Sequence, residues 1–374
     1  MKKKKIAFFD AKPYDVEIFD EVNNGEFVLK YFPRHLNSDT AYMARDYDGV
    51  CAFVNDKIDK KVIKEFFESG IKIIALRSAG YNNVDIKAAY EKLHVTIVPA
   101  YSPNAVAEHT TALMLSLNRR IHKAYYRTKD NKFSINGFLG FDMKGKTVGV
   151  IGTGKIGKAV IKIMRGFEAE VLAYDKYEDG KYAKKEGFEY TTLDRLFKKF
   201  DIVTLHCPLT KETEHLINAD NIKKMKKGVM VVNTGRGRLI DIKALIQGLK
   251  SKKIGYAGLD VYEEEDKYFF EDFSEKRMGD DVLARLHTFN NVIITSHQDF
   301  FTKEAITAIA ETTLKNLREA FRGKTLTNEI CYRCGEKPVK KRKTGNAFER
   351  LKKHIPRRRY YCVQRVWRRY VTCI

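Results

Sequence analysis

"VIGTGKIGKA", residues 150–159, is the stretch on which the fold turns. Its glycines, Gly152, Gly154 and Gly157, have the spacing of a dinucleotide-binding loop. The first lets the chain turn tightly, the second lets backbone approach a pyrophosphate, and the third lets helix pack on strand. The loop of Gly152, Thr153, Gly154, Lys155, Ile156 and Gly157 therefore predicts a cofactor cradle, provided that a strand precedes it and a helix follows. Both are expected: "KTVGVI" is apolar and β-branched, and "GKAVIKIMRGF" is compatible with a helix. The next strand, "EVLAYD", ends at Asp175, where an acid can accept hydrogen bonds from ribose hydroxyls and favour NAD over NADP.

The rest of the chain repeats this rhythm. "KIAFF", "GVCAFV", "IKIIALR" and "VTIVPA" read as one series of strands, with helix-like stretches such as "DKKVIKEFFESG" between them. A long helical stretch from Pro103, "PNAVAEHTTALMLSLNRRIHKAYYRT", leads to a second series: "KTVGVIG", "EVLAYD", "DIVTLHC", "GVMVVNT", "IGYAGLDV" and "NVIITSH". "TKEAITAIAETTLKNLREAF" has an apolar face at helical spacing and closes the fold. The expectation is an α/β protein with two Rossmann- or flavodoxin-like parallel-sheet domains.

The chain of 374 residues is long enough for two cores, and its 44% hydrophobic content suits a globular protein. The start "MKKKKIAFFD" is read as a first strand behind lysines, because its apolar run stops at Asp10. With no apolar run of membrane-spanning length, a cytoplasmic protein is expected. The formal charge of +22 is uneven: from Cys334 to Ile374 there are 14 Lys plus Arg against two Glu, a net +12. Residues 334–374 are read as a disordered basic extension. Nucleic acid or an acidic membrane is its alternative partner, since Tyr360, Tyr361, Trp367 and Tyr370 interleave with the basic residues. Cys331 and Cys334 form a C-x-x-C that could hold zinc with His354, Cys362 or Cys373, although no second compact pair accompanies it.

Three strand ends in the second series carry chemistry. Arg236 in "NTGRGRLID" can fork onto a carboxylate, with Arg238 as its rival. His297 follows "NVIITS" at the carboxyl edge where open α/β sheets bind ligands, and it can exchange a proton near neutrality. The acids of "DVYEEED" can raise the pKa of such a histidine; spacing leaves Glu263, Glu264 and Glu265 equal.

Seven stretches in order, "LRSAGYNNVDIKAA", "VPAYSPNAVAEHT", "GKTVGVIGTGKIG", "LHCPLT", "NTGRGRLID", "GLDVYEEE" and "TSHQDFFTKEA", resemble the D-specific 2-hydroxyacid dehydrogenase family, and within it the fermentative D-lactate dehydrogenases. The resemblance covers roughly residues 5 to 330. It implies that Arg236 orients the substrate, His297 donates the proton in pyruvate reduction, and Glu265 pairs with that histidine. It further implies a carboxylate pocket at Tyr101, Ala79 and Gly80, and an apolar wall at Phe300. Asp260, Thr234, Cys207 and Pro208 fall where the family lines the cofactor.

The implied architecture is discontinuous: residues 1–100 and 299–333 as substrate domain, residues 101–298 as NAD-binding domain. A homodimer is implied, with the helical stretch from Pro103 as a contact. Asp299 departs from the family, which often has a small residue there; its carboxylate either points to solvent or raises the histidine pKa. A D-2-hydroxyisocaproate-type dehydrogenase on a bulkier 2-oxo acid and an NADH-sensing corepressor are the alternative functions.

Overall fold

Short apolar runs become the interior strands of two parallel sheets in the computed structural model, which describes residues 3–265 and 268–332. The chain divides into two compact units: Met1–Tyr101 together with the segment from Ile306, and Ser102–Ala305. The second crossing falls after Ala305, within the helix Lys303–Phe321, rather than at 298.

In the first unit the strands are β1 (Lys5–Phe8), β2 (Val28–Tyr31), β3 (Gly49–Ala52), β4 (Ile73–Leu76) and β5 (His94–Thr96). They pair in parallel in the order β2-β1-β3-β4-β5, the flavodoxin-like arrangement. Every residue of β3 and β4 is buried, as expected of strands covered on both faces. The helix Lys60–Glu68 is capped by Asp59, whose carboxylate accepts from the amides of Lys61 and Val62. It turns Val62, Ile63 and Phe66 inward, onto a core that includes Phe9, Leu36, Ile74 and Leu76. The chain returns to this unit late. Asn316 donates to the carbonyl of Ile97 at 3.0 Å, and Arg318 forks onto the carboxylate of Glu26.

The second unit holds β6 (Thr147–Ile151), β7 (Glu170–Tyr174), β8 (Glu189–Tyr190), β9 (Ile202–Leu205), β10 (Val229–Asn233), β11 (Ile254–Leu259) and β12 (Val292–Ile294). Their order is β12-β11-β10-β9-β6-β7-β8, all parallel. This is the Rossmann arrangement with one further strand, and its strand order reverses at β6/β9, beside the glycine loop. One face packs on Phe197, Phe200, Leu245 and Leu283, the other on Met114, Leu117, Val160 and Met164.

One expectation needed correction, and two strands went unread. The helical stretch from Pro103 is two helices, Pro103–Arg119 and Ile121–Lys129, because Arg120 takes a left-handed conformation (φ 51°) and its amide closes the first helix on the Ser116 carbonyl. The short strands β2 and β8 went unread: β2 has no fully buried residue, and β8 is only two residues long.

Candidate active site

The glycine loop lies between β6 and the helix Lys155–Gly166. Gly152 has φ 95°, and a Cβ there would lie 2.5 Å from the amide nitrogen of Cys207. A Cβ on Gly157 would sit 1.9 Å from the carbonyl oxygen of Gly152. Neither position admits a side chain, so loop, helix and the chain after β9 are held in direct backbone contact. No side chain caps the helix at Gly154, which leaves its positive end available to an anion. We expect Gly157→Ala to weaken NADH binding by about tenfold or more, measurable by cofactor fluorescence titration.

Asp175 stands at the end of β7. Its Oδ2 accepts from the amide (2.6 Å) and hydroxyl (3.0 Å) of Thr153, and its Oδ1 accepts from the amide of Tyr177 (2.8 Å). Thr153 therefore braces the acid against the loop. Lys176 beside it reaches outward to Glu212. Cys207 is half-buried after β9, and burial pushes its thiol up to about 12, which keeps it protonated near neutrality. Pro208 follows it and accepts from the Thr213 hydroxyl. Thr234, buried at the end of β10, shares a hydrogen bond with Thr110 at 2.9 Å.

Arg236 and Arg238 separate cleanly. Arg238 is exposed and paired with Glu214, whereas Arg236 is half-buried and its field reaches His297 and Asp299. The Arg236 loop is fixed by Asn233, whose side chain donates to the Arg236 carbonyl (2.9 Å) and accepts from the Gly235 amide (3.0 Å). A Cβ on Gly237 would lie 2.2 Å from the Tyr262 carbonyl, so this loop and the acidic loop touch backbone to backbone.

The acidic loop sends its carboxylates in different directions. Glu263 pairs with His215 at 2.5 Å and Glu264 is exposed. Glu265 turns back. Its Oε2 accepts from the Tyr262 amide (2.9 Å) and its Oε1 lies 3.0 Å from Nδ1 of His297. His297 has φ 51°, and its amide donates to the Asp260 carbonyl at 2.7 Å. Burial opposes charge on this imidazole. The Glu265 hydrogen bond and charge, with Asp299, outweigh burial and the opposing Arg236, and its pKa is raised.

Asp260, fully buried after β11, organises this edge. Its Oδ1 accepts from the Thr295 hydroxyl and the Gln298 amide, and lies 3.3 Å from Nε2 of His109; its Oδ2 accepts from the Asp299 amide at 2.9 Å. Burial works against its charge, yet these partners win and its pKa is lowered. His109 is correspondingly raised, with Asp260 and Asp299 overcoming its own burial. Asp299 does not point to solvent: it is 4% exposed. Phe300 is buried behind it, within 6.5 Å of the Phe270 ring, which in turn lies 5.8 Å from the imidazole of His297.

Ala79, Gly80 and Tyr101 belong to the first unit and are half-buried; the Ser78 hydroxyl donates to the Gly80 carbonyl at 2.8 Å and shapes that turn. Of the residues considered above for zinc, Cys331 alone falls within the described residues. Cys334, His354, Cys362, Cys373 and the basic segment lie outside the described residues.

Comparison with known proteins fits this geometry. Residues 111–298 match the family model of the D-isomer specific 2-hydroxyacid dehydrogenase NAD binding domain. The chain is 49% identical over 328 residues to a D-lactate dehydrogenase of Escherichia coli, covering 87% of this chain and 99% of the relative. The chain belongs to the D-isomer specific 2-hydroxyacid dehydrogenases. Its fold agrees with the apo-structure of D-lactate dehydrogenase from E. coli (TM-score 0.81, 47% identity, 87% and 99% of the two chains). It also agrees with the pyruvate reductase of Chlamydomonas reinhardtii (TM-score 0.84, 39% identity, 87% and 98%). This D-2-hydroxyacid dehydrogenase is thus an NAD-dependent oxidoreductase, and the uncapped helix, the two glycine contacts and Asp175 suit that cofactor. No helix among the described residues is long and apolar enough to cross a membrane.

Sequence reasoning missed His109, Thr295 and Tyr262 as parts of the site. His109 carried one signal, a lone histidine in an apolar helix, but its partners come from β11 and the segment after β12.

Proposed function

We propose that this dehydrogenase reduces pyruvate to D-lactate, with His297 as general acid. The observation that carries the reading is the Glu265–His297 pair, 3.0 Å apart, with the half-buried Arg236 close enough to act on the imidazole. Bound NADH supplies the hydride. Arg236 pairs with the substrate carboxylate through its guanidinium fork and polarises the neighbouring carbonyl. Nδ1 of His297 is committed to Glu265, so the imidazolium presents Nε2 and gives that proton to the carbonyl oxygen as the carbon is reduced. Glu265 stabilises the imidazolium before transfer and orients the ring throughout. In lactate oxidation His297 takes the hydroxyl proton. Ala79, Gly80 and Tyr101 enter as carboxylate contacts on the family resemblance, and Phe300 as an apolar wall. A cytoplasmic location belongs to the same reading.

Side-chain preference is tested by kcat/KM for pyruvate, 2-oxobutyrate, 2-oxoisocaproate and phenylpyruvate in parallel. Pyruvate should rank first; preference for 2-oxoisocaproate would move the assignment to the bulkier-substrate branch. Binding of NADH without turnover of any of them would favour the sensor alternative.

A homodimer is part of the proposal. The helix Ile121–Lys129 buries none of its residues, and Tyr126, Phe133, Ile135 and Leu139 are 69%, 72%, 84% and 90% exposed. Apolar groups this exposed, grouped in one segment, suit contact with a second copy. Light scattering should give a dimer mass for the chain and a monomer mass for the double variant Ile135→Lys/Leu139→Lys.

A further inference from the structure

Two buried acids are linked inside the second unit. The amides of Gln298 and Asp299 both donate to the carboxylate of Asp260, at 3.0 and 2.9 Å, which presses residue 299 against that acid. Asp299 is 4% exposed. The charged groups facing it are Asp260 after β11, His109 from the helix Pro103–Arg119, His297 on its own segment, and Arg236 after β10. Glu265, from the loop after β11, reaches the same imidazole from its Nδ1 side. Asp299 therefore lies within the field of both the proposed carboxylate-binding cation and the proposed acid.

Nothing in the reaction assigned above uses this group. Glu265 already holds the histidine proton, and Asp260 already organises the backbone. A second carboxylate near Arg236 works against an anionic substrate, because it offsets the guanidinium charge in a site of low dielectric. We propose that Asp299 sets substrate affinity through its own proton: the neutral carboxyl leaves Arg236 its full pull on a 2-oxo acid anion, and the ionised carboxylate weakens it. Substrate binding is then coupled to proton uptake, and the enzyme captures its anion better as its surroundings acidify. This inference rests on the reading of Arg236 as the carboxylate partner.

Titration of Asp299 supports the direction. Burial, reinforced by the Asp260 charge, pushes its carboxyl up to about 7, against the pull of His297, His109 and Arg236. Below that value Asp299 is neutral; above it the group ionises next to an acid that is already charged. Adding a substrate anion nearby raises its proton affinity further, so a proton follows the anion in.

Binding of oxamate, the unreactive amide isostere of pyruvate, to the NADH-loaded enzyme tests this without turnover. Calorimetry in two buffers of different ionisation enthalpy reads the protons taken up. The wild-type enzyme should take up a fraction of a proton near pH 7.5, and its oxamate Kd should rise by about tenfold from pH 6 to 8.5. Asp299→Asn should lose that uptake and bind more tightly than wild type at the upper end. His297→Gln should keep the uptake, because the proton goes to Asp299. That variant decides the matter if Asp299→Asn fails to fold, which NADH binding would reveal. Equal uptake in wild type and Asp299→Asn, or its disappearance in His297→Gln, would overturn the proposal by placing the proton on the histidine. No oxamate binding at any pH by a wild-type enzyme that still binds NADH would remove the Arg236 reading, and this inference with it.

Discussion

His297→Gln should lower kcat for pyruvate reduction by about 10²- to 10⁴-fold, the usual contribution of a general acid, and leave NADH affinity unchanged. The carbonyl oxygen gains a proton as its carbon is reduced, and without an acid the developing alkoxide must draw on water. Glutamine keeps hydrogen-bonding capacity towards Glu265 and has no titrating proton to give. The cofactor loop is built on β6, β7 and the segment after β9, whereas the His297 amide hangs from Asp260 beyond β11. Substitution at 297 therefore leaves the cradle alone. Fluorescence titration with NADH beside steady-state kinetics separates the two effects, and a joint loss of binding and turnover would count against the general-acid role.

Arg236→Gln should reduce kcat/KM for pyruvate by about 10²- to 10³-fold, the range expected when one partner of a desolvated charge pair is removed. Both KM and kcat should suffer, since in the proposed reaction the same guanidinium binds the carboxylate and polarises the carbonyl. Arg238→Gln is the matched control. Its side chain is exposed on Glu214, and an exposed pair of this kind contributes little, so kcat/KM should stay within about twofold of wild type. Equal losses at the two positions would show that the effect comes from net charge and not from a placed fork.

The sequence was most legible where periodicity and local chemistry carry the information. Fully buried parallel strands are continuous apolar runs, so β3, β4, β9 and β10 could be read directly, and so could the loop between β6 and its helix. The break at Arg120 was not legible, because a left-handed arginine lacks the glycine or asparagine that usually marks such a turn. Spacing also left Glu263, Glu264 and Glu265 equal. Three consecutive acids on one turn differ only in direction, and that direction is set by His215 and His297, which come from distant parts of the chain. Asp299 stood out in "HQDF" as a departure, but its inward orientation depends on the Asp260 carboxylate holding two successive amides. The polar web of His109, Thr295 and Asp260 draws one residue each from a helix and two strand ends, so no local stretch contains it.

The decisive experiment is to mix the purified enzyme with NADH and pyruvate, follow NADH oxidation, and determine the chirality of the lactate formed. NADH consumption with stoichiometric D-lactate is the expected result; no turnover by a protein that binds NADH, or L-lactate as product, would overturn the proposed reaction.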